Sequence, residues 1–400
     1  MKIFIKYYLV LSMILILGIS IVNAQWLQTN FYGVVNCFAV KGEKIFVGSQ
    51  NGFVYISTNN GINWNLTSNG MSPINALLFK DTILFAGTNN GVYYSSDYGI
   101  SWLLISNLTP VTSLAVKGIN LFAGSADGVY HSSNNGLNFT QAGLTGYPIN
   151  ELAVKDTYIY AATYNNGVFR SNNNGLSWAA INTGLSTMNI GSFAVCNTNI
   201  YAGNYGSGAF LSTNGTSWIT INSGLTNLSV ACFAVSGTHI FSGTGNGGVF
   251  IIPNGTTNWN EVNLGLTIMK ITALIVNETY LFAATYDNGA GGIWRRPLSE
   301  MITSIQSLSA TIPSDFYLEQ NYPNPFNPVT NLDFGISKLG LVSFKIYDLL
   351  GKVVATLVDE KLSPGAYEVK FDGSSLKSGV YFYKIQAGEF TDTKRMMLVK

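Results

Sequence analysis

Ser57-Thr58-Asn59-Asn60-Gly61-Ile62-Asn63-Trp64 is the stretch that decides the fold, because it comes back. It returns as Ser95-Ser96-Asp97-Tyr98-Gly99-Ile100-Ser101-Trp102. The third copy keeps Ser132, Asn134, Gly136 and Phe139, and the fourth keeps Ser171, Asn173, Gly175 and Trp178. Two eroded copies follow, from Ser212 to Trp218 and from Ile252 to Trp259. Each copy has the chemistry of a turn. A serine hydroxyl and an Asx side chain bond nearby backbone amides, and the glycine adopts φ > 0 at no steric cost. The aromatic residue beyond opens the next strand and has an apolar body to bury.

Working outward, an apolar triplet precedes each turn. It reads Phe38-Ala39-Val40, Leu77-Leu78-Phe79, Leu114-Ala115-Val116, Leu152-Ala153-Val154, Phe193-Ala194-Val195, Phe233-Ala234-Val235 and Leu274-Ile275-Val276. A second strand follows each triplet (Lys44 to Gly48 in the first copy), then a third (Gly52 to Ser57), then the turn and a fourth strand. The unit is a four-stranded antiparallel meander of about 40 residues, the size of one propeller blade. The seventh copy stops after its third strand, at Ile293 to Arg296. Gln25-Trp26-Leu27-Gln28-Thr29-Asn30 precedes the first copy and matches the fourth strands. The expected fold is therefore all-β: a seven-bladed propeller over residues 25–300, closed by the N-terminal strand, which hides a strand edge. An open solenoid is the alternative and leaves that strand without a role.

The motif resembles the Asp-box repeat of sialidases, some glycoside hydrolases and photosystem assembly factors, with Asn in place of Asp except at Asp97. In that family the motif marks a blade's outer turn, away from the ligand face, so it implies a fold and not a function. The sialidase site that the resemblance implies needs three arginines around a carboxylate. The repeats contain Arg170, Arg295 and Arg296, all on third strands near the turn end, and neighbours on a strand point to opposite faces. The triad cannot be assembled. A glycosidase needs only two carboxylates across a cleft. Asp127, Glu151 and Asp287 are the acids that could face the ligand side, and are expected to be solvated turn carboxylates. No catalytic residue, metal site or cofactor is assigned; His131 and His239 have no partner motif, and Cys37, Cys196 and Cys232 read as free, buried thiols.

The second-to-third and fourth-to-first connections should emerge on one face. That face is rich in Asn, Gly and Tyr and nearly free of charge. Tyr164, Tyr205 and Tyr286, with Tyr32 and Tyr147 beside them, are the candidate ligand contacts, suited to a neutral sugar or a peptide. Ordinary surface tyrosines on hairpin turns are the competing reading.

The chain ends carry addresses. Lys2 and Lys6, an apolar run from Tyr7 to Val22 and the small-residue site Val22-Asn23-Ala24 read as a signal peptide over residues 1–24. Residues 301–316 read as a linker. Residues 317–400 read as a small Ig-like β-sandwich, with alternating strands split by glycine and proline. Asn321-Tyr322-Pro323-Asn324-Pro325-Phe326-Asn327-Pro328, the 346–354 segment Ile-Tyr-Asp-Leu-Leu-Gly-Lys-Val-Val, and the ending Lys394 to Lys400 resemble the C-terminal sorting domain of type IX secretion. That resemblance implies partnership with the secretion machinery through residues 317–400, a secreted or outer-surface location after outer-membrane translocation, and a source in the Bacteroidetes–Chlorobi group. A net charge of +1 with only 10% charged residues leaves no footprint for nucleic acid. The protein is expected to be a monomer. Two functions stay open: a non-enzymatic binding protein for an extracellular glycan or protein, and an Asp-box glycoside hydrolase. An assembly factor for a membrane complex fits less well with an export tail.

Overall fold

The computed structural model describes residues 25–68, 70–301, 305–309, 313–362, 364–374 and 376–400. The expected signal peptide lies outside the described residues. Between residues 27 and 297 there are seven four-stranded antiparallel sheets. Sheet 1 consists of Val35–Lys41, Lys44–Ser49, Val54–Ser57 and Asn65–Ser68, paired in that order. Sheets 2 to 6 repeat it over residues 74–106, 111–141, 149–180, 192–220 and 230–261. Sheet 7 has Ile271–Val276, Tyr280–Asp287 and Ala290–Pro297, and its fourth strand is Leu27–Tyr32 from the other end of the described chain. Leu27 sits opposite Arg295 and Gln28 opposite Trp294.

The repeated turn does what its residues dictate. Gly61 N donates to Ser57 Oγ at 2.8 Å, Ser57 Oγ donates to Asn59 Oδ1 at 3.1 Å, and Asn63 N donates to Asn59 Oδ1 at 2.9 Å. Gly61 has φ of 75°, and a Cβ there would stand 2.8 Å from Phe282 Cε1 of sheet 7. Glycine is thus needed both for the conformation and for close packing. Asp97 is held the same way, and Ser101 Oγ donates to its second oxygen at 2.5 Å. Hydrogen bonds from Ser101 and Ser95 hold its carboxyl at about 2.

The core lies between sheets. The first strand of each sheet contacts those of the sheets before and after it, and that of sheet 7 contacts that of sheet 1. Each neighbouring pair shares an apolar cluster: Phe46, Ile74 and Leu84 between sheets 1 and 2, Phe241, Leu281 and Trp26 between sheets 6 and 7, Phe38, Phe282 and Ile293 between sheets 7 and 1. Each buried aromatic or aliphatic side chain contributes about 1.5–3 kcal/mol.

The C-terminal region has two further four-stranded sheets over a separate apolar core that includes Leu332, Phe334, Phe344 and Tyr383. The stretch expected to be a linker is more than that. Ile305–Ser309 is a strand, paired with Gly365–Asp372. Its serine-rich sequence has no apolar alternation to announce it, since an edge strand needs only one partner. The proline-rich run is pinned to the sandwich. Asn321 is buried and donates to Pro323 O and Thr330 Oγ1, while Phe326 N donates to Met397 O in the last strand.

Candidate functional site

The two sets of connections that the sequence placed on one face are bonded to each other. Gln50 N donates to Val34 O, Asn89 N to Pro73 O, Tyr164 N to Pro148 O, Gly245 N to Ser229 O and Tyr286 N to Lys270 O. Each bond ties a second-to-third turn to the connection that enters the same sheet. The opposite face carries the Ser-x-Asn-x-Gly turns. There, Arg170 donates to Gly215 O at 3.0 Å and Arg295 to Asn60 O at 2.5 Å, each clasping the turn of the next sheet. Arg296 is buried against Val262 O. The three arginines are structural ties between sheets.

On the first face Tyr32 is 79% exposed, Tyr164 53% and Tyr205 61%, so all three have ring surface to offer. Tyr147 is half-buried, edge-on to Phe169 at 5.5 Å. Tyr286 is half-buried beneath Lys270 Nζ, 4.6 Å from its ring centre. Tyr286 and Tyr32 belong to sheet 7, Tyr147 and Tyr164 flank sheet 4, and Tyr205 belongs to sheet 5. Among the described residues no ring contact joins any two of the five.

Of the three acids, Asp127 accepts from Gly146 N at 3.0 Å and Asp287 is exposed at a hairpin. Glu151 differs from expectation. It is not a solvated turn carboxylate; it lies on the first strand of sheet 4, where its Oε2 accepts from Phe193 N of sheet 5 at 2.7 Å. Burial pushes its carboxyl up to about 7, against the opposing effect of that bond. Glu151 is the one acid on the seven first strands. His131 is tied to Asn120 at 2.8 Å and stacked on Phe122, a packing role. Cys37, Cys196 and Cys232 are free; burial raises the Cys37 thiol to about 12 and raises Cys232 further.

The first strands carry a device that the sequence did not reveal. A register shift interrupts six of them just after their opening apolar residue. The next side chain then reaches the following sheet. Asn36 donates to Ile74 O at 3.1 Å, Asn75 to Val111 O at 3.0 Å, Thr112 to Ile149 O at 2.6 Å and Asn150 to Ile190 O at 2.7 Å. Thr272 of sheet 7 donates to Val35 O of sheet 1 at 2.9 Å. The corresponding residues of sheets 5 and 6 are Gly191 and Ala231. Asn or Thr after an apolar residue at the start of five of the seven repeats was the available signal, visible only once the repeats are aligned on the bulge.

The comparisons with known proteins fit this geometry. Residues 320–400 match the secretion system C-terminal sorting domain. That places the protein among those exported to the outside or the cell surface. The chain is similar in structure to the extracellular domain of a hybrid two-component system of B. thetaiotaomicron, with a TM-score of 0.58 and 22% identity, over 80% of this chain and 45% of that one. It thus spans about half the length of that protein's domain. It is also similar to YCF48 bound to a D1 peptide (TM-score 0.56, 13% identity, 72% of this chain and 96% of that one). The WD40 β-propeller domain of Doa1 has a TM-score of 0.56 at 14% identity, over 69% of this chain and 98% of that one. At these identities the likeness shows a β-propeller type of fold alone. No curated protein matches.

Proposed function

We propose that residues 25–300 form a seven-bladed propeller of the Asp-box kind, closed by the N-terminal strand, and that it binds an extracellular glycan or protein without catalysing a reaction. A signal peptide over residues 1–24 and the type IX sorting domain over residues 317–400 deliver it to the exterior. The observation that carries this reading is the face formed by the bonded connections, which offers exposed Tyr32, Tyr164 and Tyr205 among Asn and Gly with almost no charge. Tyrosine supplies a flat apolar ring with a hydroxyl, and asparagine a donor with an acceptor. The glycoside hydrolase reading has less support. Asp127, Glu151 and Asp287 belong to sheets 3, 4 and 7, and Asp127 and Glu151 each accept from a backbone N–H. A glycan array and a pull-down from the growth substrate test the reading. Changing Tyr164, Tyr205 and Tyr286 together to Ala should abolish a signal given by the unsubstituted protein, and an unchanged profile would sink these contacts.

A further inference from the structure

The clasps on the first strands are made at five of seven junctions, and the two open junctions are adjacent. Gly191 and Ala231 have no side-chain donor. Among the described residues, therefore, no side chain donates to the carbonyl of Val230 or of Ile271. The place beside Gly191 is occupied by a ring. A Cβ on Gly191 would stand 2.8 Å from Tyr205 Cε2. Tyr205 is also bridged to Ser229, the residue before Val230. Its ring therefore packs against Gly191, its backbone runs beside the residue before the first unclasped carbonyl, and 61% of the residue is exposed. Glu151 reaches the same place from sheet 4. One of its oxygens is held by Phe193 N, and its charge is felt at Tyr205 and at Cys232, two residues past Val230.

A carbonyl, a carboxylate and an exposed aromatic ring are all acceptors. They match a group that only donates and carries positive charge. An uncompensated carboxylate is costly when buried, and a cation in contact with it offsets that cost. The same face holds one such pair already, Lys270 Nζ over the Tyr286 ring. We propose that Val230 O, Glu151 and Tyr205 form a site for an organic cation, the ammonium or guanidinium group of a Lys or Arg side chain in an extracellular peptide. This deepens the binding reading of the tyrosine face and rests on it. It makes affinity depend on pH, because the cation binds best once Glu151 has lost its proton. The other ionisable groups that feel the charge of Glu151 are Tyr205 and Cys232, whose ordinary values lie above neutrality and are raised further, so both stay protonated at neutral pH.

The test titrates the full chain with N-acetyl-Gly-Lys-Gly-amide, with its norleucine analogue as the uncharged control, and follows NMR shifts. At about pH 8.5 the lysine peptide should bind and the norleucine peptide should not. Affinity should fall about tenfold or more at about pH 5.5 and in Glu151→Gln, which keeps an acceptor for Phe193 N. Gly191→Asn, which supplies the missing donor to Val230 and crowds Tyr205, should abolish binding with Tm held or raised. Equal binding of the norleucine peptide, no shift at millimolar lysine peptide, or an unchanged affinity in Glu151→Gln would overturn the site. Should Glu151→Gln fail to fold, the pH series and Gly191→Asn decide. Loss of the cation site together with a retained, Tyr164-dependent glycan signal would overturn this inference and leave the binding face standing. Failure of the face itself would show as no glycan or protein ligand in either assay.

Discussion

Sheets 1 to 4 and sheets 5 and 6 hold to the sheet that follows them in different ways. The first group is clasped near the axis, by Asn36, Asn75, Thr112 and Asn150. Toward the rim its anchors are mixed: Trp178 donates to Ala142 O of sheet 3 at 2.7 Å and Trp64 to Thr29 Oγ1 of sheet 7 at 3.3 Å. Trp102 donates only to Gly99 O of its own turn, and Phe139 has no N–H to give. Sheets 5 and 6 lack the axial clasp and have eroded turns. Their tryptophans instead are fully buried, and each donates to the preceding sheet: Trp218 to Ile181 O and Trp259 to Ile221 O, both at 2.7 Å. Parallel bridges Thr183–Ser217 and Ser223–Asn258 reinforce the rim at the same junctions. The difference teaches that the two junctions without an axial clasp each have a buried tryptophan at the rim. The junctions from sheet 3 to 4, 4 to 5 and 7 to 1 have both ties. Where the rim takes over, the axial carbonyls are left available.

Trp26 extends the rim pattern to sheet 7, donating to Val262 O at 2.6 Å while 2% exposed. Trp26→Ala should cost about 3–5 kcal/mol in denaturant unfolding. Trp259→Ala should match it and Trp102→Ala should cost clearly less. Equal losses at Trp102 and Trp259 would break the contrast between axis and rim.

Glu151 gives the next largest effect. Its carboxyl keeps its proton up to about 7 when folded, against an ordinary value of 4.5. The folded state therefore binds the extra proton between these values, and stability falls as pH rises from about 4.5 to about 7. The loss is up to about 3 kcal/mol. Urea midpoints of Glu151→Gln should be flatter across that window, and an equal slope in both proteins would refute the assignment. Thr272→Val removes the clasp from sheet 7 to sheet 1 and should cost about 1 kcal/mol. Ala231→Thr should return a similar amount by adding a clasp to Ile271 O, which thermal melts of both variants will show. The smallest effect belongs to Asp97→Asn. Other copies use Asn there, so Tm at neutral pH should hardly move. Asp97 adds stability above its ordinary 3.8 that is lost as pH falls toward about 2. The Asn variant should lose that acid-side dependence.

The turns, strand order and pairing of Leu27–Tyr32 with Ala290–Pro297 were legible in the sequence because they rest on local chemistry repeated at a fixed period. The bonding of Tyr164 and Tyr286 backbones to Pro148 and Lys270 follows from the meander itself. Glu151 was misread because composition favours solvated acids, and only the bulge turns this one toward its neighbour. The strand Ile305–Ser309 was missed because its partner lies about sixty residues further on and nothing in its own pattern points there. Gly191 and Ala231 were silent: a missing donor is visible only beside the copies that have one.

The bond from Thr272 to Val35 spans 237 residues, and that from Trp26 to Val262 spans 236. The strand that finishes the last sheet is thus synthesised near the start and waits for nearly the whole repeat array before it has a partner. Contacts this distant in sequence slow folding and delay the final gain in stability until the late strands are available. The same arrangement makes a truncated product self-reporting: it keeps an unpaired edge and an uncovered Trp26, the kind of surface on which proteases and aggregation act first.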